Sequence, residues 1–163
     1  MPYARFLWGD KGMKNLSEVT NRNELADFLG IPRKKLTHIL YVKKPDSYYM
    51  QFEIPKKSGE PRIINAPTGA LKSVQKRILF ALEKMTSDES VYKTNISHAF
   101  QKKRSIITNA KIHRNKKIVI NFDLNDFFGS FHFGRVCGFF QKNQHFKLPY
   151  EVAVAITQLV CFN

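Results

Sequence analysis

Acidic residues are scarce in this chain. Against 27 Lys and Arg stand only 13 Asp and Glu, a formal net charge of +14 at pH 7 over 163 residues. A basic excess on that scale makes a polyanion the expected partner, because each phosphate neutralised releases counterions. Cysteine is scarce too. Cys137 and Cys161 sit in apolar surroundings with no metal-ligand spacing, so they read as buried thiols in a reducing compartment. No apolar run approaches the roughly 20 residues of a transmembrane helix. A membrane surface is the weaker reading, since the cations are spread through folding segments and not gathered in a tail. Residues 1–12 lack the long apolar run and cleavage site of a secretory signal. Internal repeats and low-complexity segments are missing as well. What is present is a 43% hydrophobic chain, long enough for one domain or two small lobes.

Residues 15–43 predict two short amphipathic helices around Gly30, with Leu25, Ala26, Phe28 and Leu29 on the first and Leu36, Ile39 and Leu40 on the second. Such a pair resembles a helix-turn-helix, with Arg33, Lys34 and Lys35 opening a recognition helix. An ordinary helical hairpin docked on the domain behind it is the better reading, because no third helix precedes Pro45 to complete a separate core. From Tyr48 the period changes to two. Tyr48, Met50, Phe52 and Ile54 alternate with polar residues as in a half-buried strand, Pro55 to Pro61 is a turn, and Arg62 to Asn65 returns. Lys56, Lys57 and Arg62 at the tip suit an anionic ligand such as a triphosphate, but taken alone they are better read as protection of a sheet edge. Ala70 to Met85 is an amphipathic helix with Leu71, Val74, Ile78, Leu79, Leu82 and Met85 as its core stripe.

After a polar connection over 87–95 comes the most basic part of the chain, with Lys102, Lys103, Arg104, Lys111, Arg114, Lys116 and Lys117. His and Phe interleave with these cations, which suits RNA or a single strand better than duplex reading. His98 and His113 have no third ligand nearby in sequence and make a poor metal site. Ile118 to Phe131 comes next, reading Ile-Val-Ile-Asn-Phe-Asp-Leu-Asn-Asp-Phe-Phe-Gly-Ser-Phe. A β-branched and aromatic run ending on Asp123 predicts a strand that carries an acid out of its end. Strand interiors disfavour Asp, so Asp123 either binds a hard cation such as Mg²⁺ or caps the next helix; both readings stay open here. Two helices close the chain: Phe131 to Lys142, with Val136, Phe139 and Phe140 inward, and Tyr150 to Phe162, with Pro149 in its first turn and Val152, Ala155, Ile156 and Leu159 inward.

The order of these features resembles the N-terminal half of a bacterial retron reverse transcriptase. The resemblance is carried by the hairpin Pro-Lys-Lys-Ser-Gly-Glu-Pro-Arg-Ile-Ile, by His-Ala-Phe-x-x-x-x-Ser-Ile-x-x-Asn-Ala-x-x-His, and by Phe-Asp-Leu-x-x-Phe-Phe, over about Asn23 to Asn163. It implies an α+β fold: right-hand polymerase fingers over 48–117 and the start of the palm over 118–163, behind a helical region at 15–47 and an N-terminal extension at 1–14. It further implies two Mg²⁺ ions, with Asp123 and the Leu124 carbonyl as ligands, and Phe128 as the bulky residue beneath the sugar that rejects a 2′-hydroxyl. Lys56, Lys57 and Arg62 would hold the incoming dNTP. The basic segment, through Lys102, Lys103, Arg104, Asn109 and His113, would contact a structured noncoding RNA that serves as template and primer. The family makes a branched RNA–DNA product in the bacterial cytoplasm, and many such systems defend against phage with an effector protein.

One departure bears on activity. The family's Tyr-x-Asp-Asp motif, the Gln-Gly loop before it and the thumb after it are absent from these 163 residues. One carboxylate cannot hold two metal ions, so this chain alone is expected not to polymerise DNA and reads as a portion of a longer enzyme or, as the weaker reading, a naturally split subunit. Competing expectations are a group II intron-like or abortive-infection reverse transcriptase and, from another class, a nonenzymatic regulator built on the 23–43 helical pair.

Overall fold

Asn21 starts the first helix. In the computed structural model, which describes residues 15–56, 59, 61–86, 97–99 and 103–162, its side chain accepts from the Glu24 amide at 3.0 Å, and α1 (Arg22–Phe28) follows. Glu24 in turn accepts from the Thr20 amide and hydroxyl, both at 3.0 Å, so the Glu24 and Thr20 amides are satisfied locally. The helix closes at Gly30, with φ 61°. The Gly30 amide donates to Asp27 and the Ile31 amide to Ala26, each at 3.0 Å, a Schellman closure that needs a left-handed residue and therefore favours glycine. α2 (Arg33–Thr37) then runs on into a single π turn, His38–Val42.

The helical pair is docked, as its sequence suggests. Leu25, Ala26, Leu29, Leu36, Ile39 and Leu40 join one buried cluster with side chains from three later helices. Arg33 is turned back onto Asp27 at 2.5 Å, and its guanidinium holds the Asp27 carboxyl below the usual carboxylate range.

β1 (Tyr49–Ile54) and β2 (Arg62–Pro67) form an antiparallel ribbon in the register Met50–Ala66, Phe52–Ile64 and Ile54–Arg62. The predicted hairpin is present, but its apolar face is not half-buried: Met50, Phe52 and Ile54 are 57%, 42% and 44% exposed. Alternation says which side chains share a face; whether that face is covered depends on what packs there. Among the described residues, the side-chain bonds that anchor the ribbon lie at its base. Gln75 donates to the Tyr49 hydroxyl at 2.9 Å and to the Leu159 carbonyl at 2.8 Å, and Phe162 meets Tyr49 edge-on at 4.7 Å.

α3 (Gly69–Thr86) buries Leu71, Val74, Ile78 and Ala81, whereas Leu79 lies off the stripe and is exposed. Its Arg77 donates to the carbonyls of Leu29 and, at 2.5 Å, Gly30, which caps the C-terminus of α1 from 47 residues away. Near the end of the chain, the helix Phe133–Lys142 starts at His132, whose ring accepts from the Arg135 amide. This helix, α5, turns Cys137 and Phe140 inward and leaves Phe139 about half exposed, so Phe139 is not the core residue its spacing suggests. α6 (Tyr150–Val160) begins after Pro149, which caps the helix instead of lying within its first turn. Val152, Ala155, Ile156 and Leu159 are buried as expected.

These elements make up one compact unit, formed by residues up to Met85 and from Phe131 onward; residues 86–130 make up a second. Within the second, α4 (Ile106–His113) buries no residue. Among the described residues the fold is thus mixed helix and strand with one two-stranded sheet. No helix of the described residues is long and apolar enough to cross a membrane.

Candidate nucleic-acid and metal site

Ser105 positions α4. It accepts from the Thr108 amide while the Thr108 hydroxyl accepts from the Ser105 amide at 2.8 Å, a reciprocal capping box. The Ser-x-x-Thr spacing that signals this cap is present in the sequence, where the Asn-Ala-x-x-His segment reads only as a motif. With the helix fixed, Asn109 and His113 lie four residues apart on one exposed face, one turn above the other. His98 meets the Thr108 hydroxyl at 2.8 Å through Nδ1, while its buried Nε2 has no partner among the described residues. Arg104 donates to the Ser97 carbonyl at 2.7 Å, and Lys103 takes a left-handed φ of 61°. Lys103, Lys111, Arg114, Lys116 and Lys117 are all exposed. Exposed Ile106 and Ile107 stand among these cations, at 88% and 68%. The result is an exposed surface offering charge, hydrogen-bond donors and aliphatic contact together. Lys102 lies outside the described residues.

The expected strand before Asp123 does not form. Residues 118–124 are irregular and exposed, with Ile118 at 73%, Ile120 at 68% and Phe122 at 87%. A strand is stabilised by cross-strand pairs and ladder hydrogen bonds, and no strand among the described residues pairs with this run. A turn over residues 125–130 comes next. Asp126 has φ 44°, its carbonyl accepts from the Ser130 amide at 3.1 Å, and the Ser130 hydroxyl donates to Phe127 at 2.7 Å. The Asp126 side chain lies against Gly129 so closely that a Cβ there would meet Asp126 Cγ at 2.6 Å. This turn presents Phe128, 76% exposed and edge-on to Phe127 at 5.4 Å.

Asp123 is an exposed carboxylate in neither the Arg22–Glu151 nor the Arg33–Asp27 ion pair. With the Leu124 carbonyl it offers two hard oxygen donors of the type Mg²⁺ takes. No group of three or more His, Cys, Asp or Glu among the described residues could hold a metal. These donors therefore fit part of a metal site and do not complete one. Lys56 and Arg62 are exposed at the hairpin tip in the first unit, and Arg62 faces Ile54 across the ribbon. Lys57 lies outside the described residues.

Comparison with known proteins finds matches along most of the chain. The chain is 33% identical over 129 residues to the retron Mx162 reverse transcriptase of Myxococcus xanthus, covering 78% of this chain and 26% of that protein. Its relatives are retron reverse transcriptases. The retron Mx65 enzyme of the same organism is 36% identical over 120 residues, 71% of this chain and 26% of that one. The retron Se72 reverse transcriptase of Salmonella heidelberg (strain 579083-10) is 31% identical over 150 residues, 91% of this chain and 37% of its own length. The chain thus spans about a quarter of the length of the first two relatives and over a third of the third. No family model matches it, and no solved structure does.

Proposed function

We propose that this chain is part of a retron RNA-directed DNA polymerase with a right-hand fold, which copies a structured noncoding RNA into a branched RNA–DNA hybrid in anti-phage defence. The observation that carries the reading is similarity to several retron reverse transcriptases along most of the chain. The exposed basic surface around α4 supports it.

In the complete enzyme, Mg²⁺ would activate the primer hydroxyl and stabilise the leaving pyrophosphate. Asp123 and the Leu124 carbonyl are the donors this chain would contribute, beside carboxylates from elsewhere in the enzyme. Phe128, held out by the 125–130 turn, would lie beneath the sugar and exclude a 2′-hydroxyl. Lys56, Lys57 and Arg62 would clamp the triphosphate. Lys102, Lys103, Arg104, Asn109 and His113 would retain the RNA. The 163-residue chain alone would not incorporate nucleotides, since a two-ion centre needs several shared anionic ligands.

The test uses the complete reading frame with its flanking locus, beside an Asp123→Asn twin. Copurifying nucleic acid is treated separately with DNase and RNase. The expected result is a short DNA covalently joined to RNA in the parent and missing in the twin. Primer extension that depends on Asp123 but gives no joined product would replace the retron reading with another class of reverse transcriptase.

A further inference from the structure

The first unit holds a pocket of ≈ 330 Å³ where α1, α2 and the start of α6 meet, lined by none of the residues assigned to the polymerase. Its volume is at the small end of ligand pockets, roughly 300–1,000 Å³. The floor is apolar, made by Leu36 and Leu40, which are buried. The rim is polar: Arg22 and Arg33 supply guanidinium groups, Asn23 and Thr37 supply neutral hydrogen-bonding groups, and Glu151 supplies the carboxylate. Arg22 binds Glu151 at 2.6 Å and also lies over the exposed Tyr41 ring, 5.2 Å from its centroid. Both arginines are exposed and their ion pairs are with exposed carboxylates, an arrangement that contributes little and exchanges readily for a phosphate.

We infer that this pocket takes one unpaired nucleotide whose base carries an exocyclic amino group. A flat base fits an apolar floor beside a guanidinium plane, a surface on which splayed-out bases stack. Glu151, oriented by Arg22, is an acceptor with no use for a phosphate, but it accepts from the amino group of cytosine, adenine or guanine. Uracil has no exocyclic amino group, and its one ring N–H lies between two carbonyl oxygens that repel a carboxylate, so it matches Glu151 poorly. Arg33 can leave Asp27 to hold the 5′-phosphate. The occupant is either a free nucleotide or one residue of a strand; that the strand is RNA rests on the proposed function.

The test is an amide-resolved NMR titration of the 163-residue chain with AMP, CMP, GMP and UMP, with a short single-stranded RNA, and with inorganic phosphate. Amides at 21–23 and 33–37 should shift with the amino-bearing nucleotides, and UMP should bind about tenfold more weakly. Thr37→Trp, which fills the rim, and Arg33→Gln should each abolish or weaken these shifts by about tenfold, with the remaining spectrum showing that the fold is kept. Shifts with mononucleotides assign a free nucleotide, and shifts with the oligonucleotide alone assign a strand. Equal shifts with phosphate, equal affinity for UMP, or shifts that survive Thr37→Trp would overturn the proposal. RNA-induced shifts confined to 103–117 would also overturn it while leaving the RNA-binding reading intact.

Discussion

Replacing Arg77 by Ala tests how α3 holds the C-terminal end of α1. Its guanidinium donates to the carbonyls of Leu29 and Gly30 at the open end of α1, so it satisfies acceptors that the helix cannot. A hydrogen bond to a charged group contributes about 1.5–3 kcal/mol. Gly30 is exposed and water can replace the guanidinium there, whereas Leu29 is 1% exposed and loses more. Adding about 0.3–1 kcal/mol for a cation at a helix C-terminus brings the expected loss to about 2 kcal/mol. With a urea slope of about 1–3 kcal/mol per molar, the midpoint followed by circular dichroism should fall by roughly 1 M. Arg77→Lys keeps the charge but not the fork, and should fall between the two. Arg33→Gln, which breaks an exposed pair, is the comparison and should move the midpoint little. An Arg77→Ala shift no larger than that of Arg33→Gln would refute the capping role.

Burial sets two further outcomes. Ile156 is completely buried in α6, so Ile156→Ala should cost about 2–5 kcal/mol in urea unfolding, and a loss below about 1 kcal/mol would mean that the cluster repacks around it. Burial pushes the Cys161 thiol above its ordinary value, so the folded state binds its proton more tightly than the unfolded state. The corresponding stability is complete below the unfolded thiol value of about 8.5 and declines as pH rises through the higher folded value. Iodoacetamide at pH 8.5 should therefore modify Cys161 more slowly in the native chain than in urea, with mass spectrometry of the peptide as the readout; equal rates would contradict the shift.

Local signals carried well from sequence to structure. Asn21 with Glu24, Gly30 and the apolar stripes of α3 and α6 act through bonds and packing within one or two turns, so their meaning does not depend on distant neighbours. The likeness to retron reverse transcriptases was equally legible, because residue order alone carries it. Less legible was anything needing a partner. The β-branched run before Asp123 has strand propensity, yet propensity cannot supply the second strand that makes a ladder. The ribbon's alternation likewise named its apolar face without covering it.

By itself, then, the sequence determined the helices, the hairpin, the basic surface and the family likeness, all set by periodicity, capping or residue order. Only the tertiary structure decided that Arg77 closes α1 across 47 residues, that Phe139 and Leu79 stay outside the core, and that Arg22, Arg33 and Glu151 rim one pocket. The physical reason is range. Glu151 lies 129 residues from Arg22, and no local pattern encodes a contact that exists only once packing has placed α6 against α1.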